Sequence, residues 1–146
     1  MPIDKSPSKK FSDAIGYSDA SPIPTEAQEQ TWLFQWARMQ SGTIKELSML
    51  YHIPNGGSRN HLEAIHLKQQ GVQAGVPDLC LPVARGGCHS LYIELKRTKG
   101  GRVSREQTEW MEALMQQGHM VAVCQGWKMA SDVIMNYLRG KRDDEK

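Results

Sequence analysis

Two apolar runs, Leu79–Val83 and Leu91–Leu95, flank the segment Arg85-Gly86-Gly87-Cys88, and this stretch limits the folds open to the chain. Paired glycines supply the tight turn, so the two runs predict a β-hairpin. In the second run Leu91, Ile93 and Leu95 alternate with Tyr92, Glu94 and Lys96. A strand sends successive side chains to opposite faces, so the first set enters a core and the second shares the other face. Glu94 and Lys96 then lie about 7 Å apart along the strand and point the same way. Asp78 stands where the partner strand begins, within reach of Glu94. Two carboxylates and an ammonium at one end of a sheet suit a hard divalent cation and the water it activates. Singly, Pro77-Asp78 reads as a turn and Glu94-Leu95-Lys96 as the wet face of a strand. Their combination across one hairpin is the unusual feature.

A chain of 146 residues suits one domain. Its formal charge of +2 does not announce a nucleic-acid partner, so any such signal must come from a local basic cluster. No apolar run approaches the roughly 20 residues that span a bilayer, and Met1-Pro2-Ile3-Asp4 opens no apolar signal segment. A cytoplasmic protein without a membrane partner is expected. Cys80, Cys88 and Cys124 are widely spaced with no CxxC, which argues against structural zinc and against a disulfide framework. His61 and His66 miss the i, i+4 spacing of a helical zinc pair.

Residues 1–22 hold few large apolar groups and are expected to form a flexible tail, ahead of a domain over 23–140 and a charged tail at 141–146. Thr25 and Gln28 form a capping-box pattern that opens a helix over Glu26–Gln40, with Trp32, Leu33, Trp36, Ala37 and Met39 on its apolar face. Glu26 or Glu29 can offer a carboxylate to the Asp78 cleft, and spacing does not choose between them. Leu47–Ile53 reads as a strand closing at Pro54-Asn55-Gly56-Gly57. Arg59 and Asn60 follow as phosphate contacts or as turn and helix start. A helix over Asn60–Gln70 offers Leu62, Ile65 and Leu67 to a core. After Lys96 comes the densest basic patch, with Arg97, Lys99, Arg102 and Arg105 within nine residues. Beside an acidic cleft it makes sense as a phosphate grip. Ser104 and Gln107 give a second capping box, opening a helix with Trp110, Met111, Leu114 and Met115 inward. Met120–Cys124 reads as a continuous apolar strand, central in a sheet. A last helix, Trp127–Leu138, turns Met129, Val133, Ile134 and Tyr137 inward.

Asp78 with Glu94-Leu95-Lys96 resembles the active-site pattern of the PD-(D/E)XK nucleases. Four further segments resemble its VRR-NUC (virus-type replication–repair nuclease) branch: Glu26-Ala27-Gln28-Glu29-Gln30, Asn55-Gly56, Gly75-Val76-Pro77-Asp78 and Ser104-Arg105-Glu106-Gln107. The resemblance runs from about Thr25 to Val123. It implies an α/β fold with a restriction-endonuclease-like core, a central mixed sheet flanked by helices. It also implies Mg²⁺- or Mn²⁺-dependent cleavage of DNA. Glu26, Asp78 and Glu94 would hold the metal; alignment with the family's helix motif is what selects Glu26. Lys96 would orient the attacking water, and Gln107 would position the lysine, the water or a phosphate. Asn55, Arg59, Arg97, Lys99, Arg102 and Arg105 would contact DNA. Stand-alone relatives suggest a homodimer acting on branched DNA such as four-way junctions, in phage or bacterial replication and repair. Alternatives are a sequence-specific restriction-type endonuclease and a non-catalytic DNA-binding subunit of the same fold.

Overall fold

The structure is a computed structural model describing residues 7–16, 22–55, 60–142 and 144, with side chains from residue 11 onward. Helix α1 spans Pro7–Ala14 and α2 spans Glu26–Gln40; a short 3₁₀ helix, Lys45–Met49, leads into strand β1, Tyr51–His52. Helix α3 (His61–Gln69), β2 (Leu79–Leu81), β3 (Leu91–Lys96), α4 (Arg105–Gln116), β4 (Met120–Gln125) and α5 (Trp127–Leu138) follow. Among the described residues, β1 to β4 form one mixed sheet in chain order. β1, β2 and β3 are antiparallel neighbours, and β4 lies parallel to β3. A parallel pair needs a crossover, which α4 provides.

The hairpin forms as its sequence predicts. Leu79 pairs with Ile93 and Leu81 with Leu91. Arg85 and Cys88 close the turn, with Gly86 and Gly87 at φ 58° and 81°, the left-handed values that a two-residue hairpin turn requires. Leu79, Leu81, Leu91, Ile93 and Leu95 are buried against Leu33 and Trp36 of α2 and Trp127, Ala130 and Ile134 of α5. Cys80, Tyr92, Glu94 and Lys96 share the opposite face, on the side of α4, which packs on β4.

Several expectations are corrected. Within the segment expected to be a tail, α1 places Phe11 in the core, its ring edge-on to Trp127 at 5.1 Å; one aromatic anchor offsets a polar composition. At the other end Lys141 accepts a hydrogen bond from the Gly86 N–H, and Arg142 pairs with Glu46. Over Leu47–Ile53 the strand shrinks to two residues. Leu47 and Leu50 are both buried because 3₁₀ geometry superposes residues three apart. β4 is an edge strand and not a central one. The buried stripe of α2 is Glu29, Leu33, Trp36 and Ala37, which leaves Met39 exposed. Leu62 and Ile65 of α3 are exposed because, among the described residues, that helix packs against no other element. On α4, Met115 is exposed and Trp110, Met111 and Leu114 are half-buried; Met129 of α5 is exposed. Gly56 and Arg59 lie outside the described residues.

Candidate active site

Three elements bring the acidic and basic groups together. The start of β2 supplies Asp78, the end of β3 supplies Glu94 and Lys96, and the first turn of α4 supplies Gln107. Asp78 Oδ2 accepts the Leu95 N–H at 2.8 Å, which fixes the carboxylate against the neighbouring strand. Its Oδ1 accepts from Asn55 Nδ2 at 3.4 Å. The Asp78 carbonyl accepts the Ile53 N–H at 2.7 Å and lies 2.9 Å from His52 Nδ1.

Glu94 Oε1 accepts from Gln107 Nε2 at 2.6 Å and lies 3.1 Å from Lys96 Nζ. Lys96 Nζ also donates to Gln107 Oε1 at 3.2 Å, closing a triangle of three side chains. Gln107 Oε1 accepts in addition the Ser104 N–H at 2.8 Å, and Ser104 Oγ accepts the Gln107 N–H at 3.1 Å. The capping box and the cleft therefore share one amide. Gly75 packs its α-carbon on Glu106: a Cβ there would sit 2.8 Å from the Glu106 backbone, and φ is +89°. Only glycine allows this approach, which docks the segment carrying Pro77-Asp78 on the first turn of α4.

Burial and mutual repulsion set the electrostatics of the Asp78–Glu94 pair. Glu94 is 1 % exposed, and its Oε2 is buried with no hydrogen-bond partner among the described residues. Burial, reinforced by the Asp78 charge, pushes the Glu94 carboxyl up to about 7, against the pull of Lys96. Burial also raises Asp78, opposed by the Leu95 N–H and by the Lys96 charge. Burial and the neighbouring carboxylate thus hold Glu94 above the ordinary range and make full ionisation of the pair costly. An orphaned buried carboxylate oxygen beside a second carboxylate is a donor set that fits a hard divalent cation. Among the described residues no group of three or more His, Cys, Asp and Glu side chains converges, so water and phosphate oxygens would complete the coordination.

The helix carboxylates behave differently from each other. Glu26 is exposed on the first turn of α2, outside the Asp78–Glu94 pair. Glu29 is fully buried, and its Oε2 accepts the Trp127 N–H at 2.8 Å, capping α5 from another helix. Burial raises its pKa. The sequence signal for this role was an acid in line with Leu33, Trp36 and Ala37. Of the basic residues, Lys99 and Arg102 are exposed on the loop beyond Lys96. Arg97 is instead tied to the Pro24 and Ile23 carbonyls at 3.2 and 3.5 Å. Arg105 pairs with Glu109 at 3.0 Å on the surface. Arg59 lies outside the described residues. His52 had no sequence signal: it touches Asp78 only because β1 pairs with β2.

The VRR-NUC domain profile matches residues 20–128. A solved structure described as a VRR-NUC domain protein is 30 % identical and aligns with a TM-score of 0.69, covering 82 % of this chain and 92 % of its own. No curated protein matches.

Proposed function

The chain belongs to the VRR-NUC domain family, a nuclease-type domain, and on that premise we propose that it is a divalent-metal-dependent DNA endonuclease acting on branched DNA. The observation that carries the metal is the buried, partnerless Oε2 of Glu94 beside Asp78. Asp78 and Glu94 would hold Mg²⁺ or Mn²⁺ directly, and Glu26, outside that pair, would serve through a coordinated water. When bound, such a cation offsets charge on the scissile phosphate and lowers the pKa of a coordinated water. Glu94 would serve in its ionised form, which burial disfavours and a bound cation would favour.

Lys96 is held by Glu94 and Gln107, which fixes its ammonium at the end of β3. There it orients the attacking water and stabilises the oxyanion that forms, with no reorganisation at the moment of reaction. Gln107 locks both neighbours in place. Lys99 and Arg102 grip the flanking phosphates, and Asn55 holds Asp78. The basic loop contacts backbone rather than base edges, which favours recognition of DNA shape over sequence. A symmetric dimer would present two such sites to two strands of a junction.

The test is cleavage of labelled four-way junction, flap, single-stranded and linear duplex DNA in Mg²⁺, Mn²⁺ or EDTA. Metal-dependent cutting of the branched substrates over linear duplex supports the reading. Cutting of duplex at one sequence would replace it with a restriction-type activity, and binding without cutting in any metal would remove the catalytic claim.

A further inference from the structure

Strand register places a second row of side chains beside the acidic pair. Tyr51 of β1 pairs with Cys80 of β2, and Cys80 pairs with Tyr92 of β3. Cys80 stands two residues past Asp78, and Tyr92 two residues before Glu94. Alternation therefore puts Tyr51, Cys80 and Tyr92 on the same face as Asp78 and Glu94, one row away, about 7 Å along the strands. The row lies on the far side of Glu94 from Lys96 and the basic loop. Among the described residues no α-helix packs on β1 or β2, and β3 meets only α2 and α5, which lie on the core face. Tyr51 is 48 % exposed and Tyr92 half-buried, over a buried Cys80.

Both tyrosine side chains hydrogen-bond the Cys80 side chain, so their hydroxyls converge on this face. That bond, with burial, pushes the Tyr51 phenol up to about 12; burial lifts Tyr92 as well, so both stay protonated donors at neutral pH. Sulfur is a weak acceptor, and an anionic oxygen is a much stronger partner for an O–H group. Tyr92 is held in place by His119, whose ring stands edge-on to it at 5.3 Å. His119 Nδ1 in turn lies 2.6 Å from Oγ of the buried Ser90.

We propose that the Tyr51 and Tyr92 hydroxyls hold the backbone phosphate next to the one engaged at Asp78 and Glu94, and so set which phosphodiester bond reaches the acidic pair. Tyrosine is among the side chains that bond DNA phosphates, and such contacts carry position rather than sequence. With Lys99 and Arg102 on the other side of Glu94, the strand is gripped on both flanks of the reacting phosphate. This inference rests on the nuclease reading for the identity of the ligand.

Binding is measured on the full chain in EDTA, with labelled four-way junction DNA at a series of salt concentrations. Tyr51→Phe and Tyr92→Phe keep the rings and remove the hydroxyls. Each should weaken binding by about tenfold and leave the slope of affinity against salt unchanged, because no charge is removed. Lys99→Gln should instead lower that slope by about 1. Cys80→Ala, which removes only the present partner of the hydroxyls, should bind as the wild type does. Wild-type affinity in both Phe variants overturns the inference. So does equal weakening in Cys80→Ala, which would reduce the row to packing. Cleavage is read separately with Mn²⁺: where the wild type cuts one bond, the Tyr51→Phe/Tyr92→Phe double variant should spread its cuts over neighbouring bonds. A protein that binds through the two hydroxyls but never cuts keeps the phosphate seat and loses the nuclease reading; one that binds and cuts as the wild type does without them does the reverse.

Discussion

Gln107 binds Glu94 through its amide nitrogen at 2.6 Å and, through its amide oxygen, Lys96 and the backbone N–H that starts its own helix. Secondary structure and site geometry are thus fixed by a single side chain. Changing Gln107 should affect both, and the two effects can be separated. Gln107→Glu keeps the capping acceptor but replaces the donor to Glu94 with a third carboxyl group. Helix stability should survive, cleavage should fall, and the metal dependence should shift. Gln107→Ala should in addition cost about 1 kcal/mol of stability. Thermal melts and cleavage rates of the two variants check this; equal loss of stability in both would dissociate the cap from the amide oxygen.

The raised pKa of Glu94 predicts an unusual stability profile. Glu94 titrates at about 7 in the fold against an ordinary 4.5, so the folded state binds more protons than the unfolded state between those values. Metal-free protein should therefore be most stable below about pH 4.5 with respect to this group, and should lose that contribution as the pH rises through 7. Burial moves Asp78 in the same direction. Glu94→Gln should flatten the decline, as should saturating Mg²⁺ or Mn²⁺, which favours the ionised form. Chemical denaturation at a series of pH values measures it, and a wild-type profile identical to that of Glu94→Gln would contradict it.

Glu29 and Glu26 should separate cleanly. Glu29→Ala removes a buried cap of α5 and strands the Trp127 N–H, at a cost of about 1–3 kcal/mol. Glu29→Gln retains an acceptor without the buried charge and should be far milder. Glu26 is exposed, so Glu26→Ala should change stability by less than about 0.5 kcal/mol. Loss of cleavage in that variant, with the fold intact, is the expected sign that it serves the metal; unchanged cleavage would restrict the protein ligands to Asp78 and Glu94.

Gly75→Ala should be disproportionately harmful for a single methyl group. The Cβ would meet the Glu106 backbone at 2.8 Å at a φ of +89°, and neither contact nor dihedral can relax cheaply. A drop of at least about 1 kcal/mol is expected. Cleavage should fall with it, since the segment leading into Asp78 is displaced. A wild-type melting temperature would show that this approach is not close in solution.

The parts legible in the sequence were those written as local chemistry. Gly86-Gly87 specified its turn, Thr25/Gln28 and Ser104/Gln107 specified two helix starts, and the alternation of Leu91–Lys96 put Glu94 and Lys96 on one face. The parts that were not legible depend on partners distant in sequence. Nothing near Glu29 announces that Trp127 lies 98 residues away at a helix end in need of an acceptor. His52 reaches Asp78 through strand pairing alone. Met120–Cys124 is apolar enough for a central strand, yet its place at the sheet edge follows from the topology. Phe11, one aromatic in a polar segment, ordered what composition alone would have left loose.

Everything proposed for this chain turns on Asp78, Glu94, Lys96 and Gln107 acting together as a metal-dependent phosphodiesterase centre. The most direct measurement is the cleavage rate of one labelled four-way junction in Mn²⁺ by wild-type protein and by Glu94→Gln, with circular dichroism to show that both are folded. Cutting by the wild type that EDTA abolishes is expected, with a loss of at least about 100-fold in the variant. Cutting by Glu94→Gln at the wild-type rate would contradict it.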